Sequence, residues 1–331
     1  MVISQTPYRI SFFGGGTDYR PYFMEHGGSV LSTTIDRYCY LTLRRLPPFF
    51  DHASRLSYSK IELFNSADQV QHPAVRECLK FMDLRGVSVT HDGDLPARAG
   101  LGTSSSFTVG LLNAMHALKG EFADPMTLAS EAIHVEQDMI GENVGVQDQL
   151  AAAIGGLNRL YFRADGYDYR PVILKPERRQ RLDENLMLFF TGIFRYASQI
   201  AEEQVKNTQN KLHELREMTL LTEEGEKTLV SGDINDFGRL LHEGWQLKRS
   251  FSGRISTEEI DRMYSRAREA GALGGKLLGA GGGGFLLFYV EKENQEFVKR
   301  ALKELLYVPF HIGQTGSRIV YSTPPELHPI F

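Results

Sequence analysis

The segment Pro96-Ala-Arg-Ala-Gly-Leu-Gly-Thr-Ser-Ser-Ser106 limits what this chain can become more than any other stretch. A polar loop runs into two glycines and four consecutive hydroxyl residues, Thr103 to Ser106, and a helical pattern from Phe107 to Leu118 follows at once. Gly100 and Gly102 let the backbone turn tightly and approach a ligand closely. The helix opening behind them offers unpaired N–H groups and the positive end of its dipole, which suits phosphate. One serine there would be explained as a cap. Four hydroxyls in a row after Gly-Leu-Gly exceed what capping requires, and the segment reads as a phosphate loop.

The other bounds are consistent with a small-molecule ligand. A net charge of -4 without a long basic run argues against nucleic acid or an anionic membrane as the main partner. The length of 331 residues suits two domains, and 42% hydrophobic residues can supply both with cores. Cys39 and Cys78 lack Cys-x-x-Cys spacing, which excludes a disulfide framework or cysteine zinc site and fits a reducing compartment. Met1-Val-Ile-Ser-Gln5 has neither the basic nor the apolar region of a secretory signal, and no apolar run reaches membrane-spanning length. A cytoplasmic location is the expectation.

Along the chain, Val2 to Phe13 reads as a strand ending in Gly14-Gly-Gly-Thr-Asp18, with Arg9 and Asp18 converging near one mouth. Strands are expected at Ser29–Arg44 (one or two), 56–61 and Val87–His91, with a helix at His72–Arg85. Asp124-Pro125 starts a helix that should run to Gly141. Two strands flank the turn Asp165-Gly166, another spans 186–192, and a charged helical region covers 198–230. Asp233 starts a helix, Ser256-Thr-Glu-Glu259 has the capping-box pattern for the next, and a strand runs from Phe285 to Val290. A helix at 293–306 and strands at 308–312 and 317–321 close the chain. The strand-rich first part and helix-rich second part put a domain boundary at about 175–185.

Glu136 shares a helical face with Ala129, Ala132, Ile133 and Ile140. A carboxylate on an apolar stripe must be paired with an arginine or bound to a metal, and the phosphate loop favours the metal. Asp148 lies in Val144 to Gly156, a short element of small residues, either as a helix cap or as a rigidly held carboxylate. Two motifs mislead. Gly279-Ala-Gly-Gly-Gly-Gly284 matches the dinucleotide fingerprint but precedes a strand instead of following one, and Gly271 to Lys276 is one residue short of a P-loop.

Three glycine-rich segments, Pro7 to Tyr19, Pro96 to Ser106 and Lys276 to Phe285, resemble in order and spacing those of the GHMP kinase superfamily of galactokinase, homoserine kinase and mevalonate kinase. The resemblance implies an α+β, two-domain GHMP kinase fold. Residues 1–180 would form a ribosomal protein S5 domain 2-like N-terminal domain, and residues 181–331 a ferredoxin-like C-terminal domain. It implies ATP and Mg2+ as cofactors and a soluble sugar or sugar phosphate as partner. It further implies an ATP site at Pro96, Gly100, Leu101, Gly102, Thr103, Ser104, Ser105 and Ser106, with magnesium on Ser104 and Glu136. Asp148 resembles the catalytic base, Arg9 its basic partner and Asp18 the aspartate on sugar hydroxyls, with Gly15, Gly16, Thr17, Gly282 and Gly283 also at the substrate. Where galactokinases carry Gly-Glu-His-Thr-Asp, this chain has Gly14-Gly-Gly-Thr-Asp18. That motif, Leu31 to Arg37 and Arg45 to His52 look like the family's heptose 7-phosphate kinases, which make the 1,7-bisphosphate on the route to GDP-heptose. Arg98, Lys248 and Arg249 are candidates for gripping a substrate phosphate, or else solvated surface cations.

Overall fold

The computed structural model describes residues 1–97, 99–193, 202, 203, 205 and 207–323. The chain opens with β1 (Val2–Phe13), α1 (Arg20–His26), β2 (Gly28–Arg45), β3 (Ser54–Ser57), β4 (Ile61–Phe64), α2 (Pro73–Phe81) and β5 (Val87–Gly93). It continues through α3 (Thr103–Lys119), α4 (Pro125–Ile133), α5 (Gln147–Ile154), β6 (Leu157–Arg163), β7 (Gly166–Pro171), α6 (Pro176–Asn185) and β8 (Leu186–Phe190). It ends with α7 (Leu212–Ser231), α8 (Ile234–Arg249), α9 (Glu258–Glu269), β9 (Gly274–Leu277), β10 (Phe285–Tyr289), α10 (Gln295–Ala301), β11 (Leu306–Val308) and β12 (Arg318–Ser322).

Two sheets organise these elements. The first has the order β12-β1-β2-β5-β3-β4, with β6 and β7 continuing from β2. The stretch read as one or two strands is one strand of 18 residues because two partners share its second edge. Gly28 to Thr33 pairs with β6, and Cys39 to Arg45 pairs with β5. The predicted strand at 56–61 straddles the turn of the β3–β4 hairpin, with Leu56 buried and Ile61 exposed. The second sheet, β11-β8-β10-β9, is antiparallel throughout. β10 is apolar at every position because both its faces are covered. Phe285, Leu287 and Tyr289 join the core shared with the first sheet, and Leu286 and Phe288 join a second core with Met187, Phe189 and Trp245.

Local signals placed several helix starts. The Asp124 carboxylate accepts from Met126 N and Thr127 N, and Asp233 from Asn235 N. At α9 the cap is Thr257, one residue later than the capping-box pattern suggested, because the Ser256 hydroxyl is drawn to Asp261. Part of the region 198–230 lies outside the described residues, and from Leu212 onward it is α7. α6 was missed: it is strongly charged and buries only Leu182 and Asn185, too little for a stripe. Among the described residues, no helix is long and apolar enough to cross a membrane.

Candidate active site

The loop before α3 is fixed by three contacts. Arg9 N donates to Leu101 O at 3.0 Å, and Arg9 Nη1 donates to Gly100 O at 2.7 Å. Ser106 Oγ donates to Pro7 O at 2.9 Å, tying the first turn of α3 to β1. Gly100 and Gly102 have φ of 80° and 71°, and no side chain caps α3. Leu101 and Ser106 are fully buried, Thr103 is half-buried, and Pro96 and Ser104 are exposed.

Asp148 sits in the first turn of α5, clamped by Arg9 through Nε to Oδ1 at 2.7 Å and Nη2 to Oδ2 at 2.8 Å. A Cβ added to Gly102 would lie 3.5 Å from Asp148 Oδ2, so the carboxylate stands directly beside the glycine-hydroxyl bend. Arg9 is 4% exposed and Asp148 25%, so one side of the acid stays open to a ligand. Gln147 donates to Asp18 Oδ2 at 2.8 Å, and Gly16 N donates to Oδ1 at 2.9 Å. Burial raises the Asp18 pKa, and the charge of Asp148 adds to the shift. Thr17 turns inward, donating to Gly14 O and Ser29 O, and so holds the turn rather than its mouth.

The third glycine segment packs on the phosphate loop. A Cβ on Gly279 would lie 2.5 Å from Gly100 Cα, and one on Gly284 2.4 Å from Ala99 O. Gly282 N donates to Ile255 O, and a Cβ on Gly283 would lie 2.4 Å from Ile193 O, so both glycines face the chain's own backbone. Two lysines lie here: Lys276, which the motifs did not assign to the site, and Lys248, one of the candidate phosphate-gripping cations. Lys276 Nζ donates to Ser11 O and Phe12 O at 2.8 and 2.7 Å. Lys248 donates to Gly279 O at 2.7 Å, and burial holds its ammonium down to about 8. The signal was legible, since Lys248 continues the buried face of Leu241, Gly244 and Trp245. Arg249 instead pairs with Asp261 at 2.7 Å, and Arg98 lies outside the described residues.

Glu136 lies on a π-helical turn, His134–Met139, that interrupts the uniform helix expected to Gly141. Such widened turns often mark functional sites. Its Oε2 accepts from Ser105 Oγ at 2.9 Å and from Gln149 Nε2, the Thr108 hydroxyl lies close enough to favour the charged carboxylate, and its buried Oε1 makes no well-formed hydrogen bond among the described residues. Burial pushes its carboxyl up to about 7. The loop hydroxyl that meets Glu136 is therefore that of Ser105, next to Ser104. Among the described residues no group of three or more His, Cys, Asp or Glu is arranged to hold a metal.

The chain is similar to known proteins over nearly its whole length. Residues 66–156 match the GHMP kinases N terminal domain and residues 226–308 the GHMP kinases C terminal domain. D-glycero-alpha-D-manno-heptose 7-phosphate kinase of Campylobacter jejuni is 30% identical over 92% of this chain and 94% of its own. A galactokinase of Pyrococcus furiosus is 27% identical over 90% and 91%. The crystal structure of a D-glycero-D-manno-heptose 1-phosphate kinase from Bacteroides thetaiotaomicron superposes with a TM-score of 0.78 at 26% identity, covering 97% of this chain and 100% of that one.

Proposed function

The chain belongs to the GHMP kinase family and is a sugar kinase, and from that premise we propose that it phosphorylates the anomeric hydroxyl of D-glycero-D-manno-heptose 7-phosphate. Kinases of this family use ATP. The observation that carries the reading is the Asp148 carboxylate, held by the Arg9 fork beside the Gly100–Ser106 loop. A carboxylate has about four acceptor sites, of which the fork occupies two, leaving room for a substrate hydroxyl. The loop would hold the ATP phosphates through backbone N–H groups. Asp148 would take the hydroxyl proton as the sugar oxygen bonds to the γ-phosphorus and the bond from that phosphorus to the ADP oxygen breaks. Asp18 would hold sugar hydroxyls. The product would be the 1,7-bisphosphate, used toward GDP-heptose in the cytoplasm.

Magnesium fits the residues present, since Glu136 Oε1 is a buried carboxyl oxygen without a well-formed hydrogen bond among the described residues, next to the start of α3, and a cation there would favour the charged form that burial opposes. Glu136 and Ser104 would hold it, with Ser105 orienting the carboxylate, and the ion would supply neutralisation of phosphate charge. We expect Glu136→Gln to shift the magnesium titration of activity to concentrations about tenfold higher or more, the loss of one charged ligand. An unchanged titration would remove Glu136 from that role. The same reading puts residues 1–180 and 181–331 in separate domains, with β12 returning to the first sheet.

The deciding assay offers Mg-ATP with a panel of sugars and sugar phosphates, followed by phosphorus NMR. A new anomeric phosphate on heptose 7-phosphate is expected. Phosphorylation of free fucose or another unphosphorylated sugar instead would replace the acceptor, and ATP binding without turnover of any sugar would end the enzymatic reading.

A further inference from the structure

Phe12 and Phe13, at the end of β1, both meet Phe237 of α8, with ring centroids 5.2 and 5.4 Å apart and interplanar angles of 79° and 88°. Neighbouring side chains of a regular strand point to opposite faces. Here the ladder to β2 shifts register between Ser11 and Phe13, and such an irregularity re-aims a side chain. The Phe13 ring enters a slot between two helices. A Cβ on Gly225, inside α7, would lie 2.6 Å from Phe13 Cε2 and 2.8 Å from Cδ2. One on Gly244 of α8 would lie 3.3 Å from Cδ1 and 3.4 Å from Cε1, the opposite edge of the same ring. Glycine is the poorest helix former after proline, so two helices give up propensity where this one ring enters.

We infer that Phe13 is a positioning residue, a wedge whose seat between Gly225 and Gly244 fixes where the turn from Gly14 to Asp18 stands against α7 and α8. Phe13 is fully buried, so it acts through the turn that follows it and not on a ligand. Gly14, Gly15 and Gly16 carry no side chains to seat that turn, so its flanks must do so. On the upstream flank the wedge is joined by Lys276 of β9, whose Nζ donates to Ser11 O and Phe12 O at 2.8 and 2.7 Å. The same strand carries Arg9, four residues before the ring. One turn beyond Gly244, α8 carries Lys248, which donates to Gly279 O. One ring therefore registers Asp18 and the Arg9–Asp148 pair against the third glycine segment.

A methyl group added at Gly225 overlaps one edge of the ring, and Gly244 backs the other edge. The ring cannot retreat across the slot, so it shifts along its strand and takes the turn with it. Were Phe13 core filling alone, the same overlap would lower stability and leave the turn in place. The kinetic arm of the test rests on the proposed function, and the hydrogen-exchange arm does not.

Gly225→Ala, Phe13→Leu and the double variant of the full chain are compared by steady-state kinetics with Mg-ATP and heptose 7-phosphate, and by amide hydrogen exchange without ligand. In Gly225→Ala the acceptor KM should rise about tenfold or more while ATP KM holds, since misplacement by about 1 Å can cost about 10²-fold. The amides of Gly16 and Thr17 bond Asp18 Oδ1 and Gly14 O. Their exchange should speed up by a larger factor than anywhere in the β1–β2 ladder. Leucine lacks the Cε atom nearest the added methyl, and the two changes together nearly conserve volume. The double variant should therefore regain acceptor KM and turn protection to within about threefold of wild type. Wild-type KM and exchange in Gly225→Ala overturn the positioning role, as does a double variant no better than Gly225→Ala. Should Gly225→Ala not fold, Gly244→Ala, whose methyl meets the ring at 3.3 Å, takes its place with the same expected directions. If the wild-type chain turns over no heptose 7-phosphate, the acceptor reading has failed and exchange decides the wedge alone. Faster exchange in the turn, restored in the double variant, then supports it, and an unchanged turn refutes it.

Discussion

Asp148→Asn is expected to lower kcat by about 10²–10⁴-fold, the range a positioned general base contributes. The amide keeps the shape of the carboxylate, so ATP KM should hold while the hydroxyl proton loses its acceptor. The substitution also has a structural consequence. Arg9 is 4% exposed, and its Nε and Nη2 would face an amide that cannot accept at both atoms. Breaking a fully buried pair costs about 3–5 kcal/mol. Asp148 is 25% exposed, so water screens the pair and the loss should be smaller. Arg9 also keeps its bond to Gly100 O. The informative result is a kcat loss far larger than the change in melting temperature implies. Turnover within tenfold of wild type would leave Asp148 as a clamp for Arg9 and no more.

The sequence was most readable where one local rule sufficed. Asp124 and Asp233 announce helix starts because their side chains cap the backbone two or three residues on. Gly100 and Gly102 announce the loop because only glycine adopts their φ cheaply. The β9 strand was hidden by its own composition. Gly274 and Gly275 read as loop, yet a Cβ on Gly274 would lie 1.8 Å from Gly238 O and one on Gly275 2.3 Å from Leu287 O. These glycines let α8 and β10 close in, a tertiary demand that strand propensity does not encode. In the site, Glu136 and Asp148 stood out as acids at conspicuous positions. Gln149 did not, and Ser105 was read only as a phosphate-loop hydroxyl, because their hydrogen bonds to Glu136 join segments far apart in the chain. Lys248 was visible only as one of several cations, until its place on the buried face of α8 set it apart from Arg249.

Gly100→Ala should damage stability and activity together, for reasons that a control can separate. At φ +80° a non-glycine residue costs about 1–2 kcal/mol. Its Cβ would lie 2.4 Å from Leu278 O, a backbone atom that cannot rotate away. Overpacking of this kind adds about 1–3 kcal/mol. Together these lower the melting temperature of a chain this size by about 3–7 °C. Gly120 has nearly the same φ, 78°, at the far end of α3, with nothing within 4 Å of an added Cβ. Gly120→Ala therefore carries the backbone cost alone, and its kinetics should match wild type. In Gly100→Ala the loop must move off Leu278 and Gly279, carrying with it the carbonyl that Arg9 holds. Misplacement by about 1 Å can cost about 10²-fold in rate, and here it would reach both the phosphate loop and, through Arg9, the Asp148 carboxylate. A Gly100→Ala enzyme as active as Gly120→Ala would mean that the contact between the two glycine segments serves packing alone.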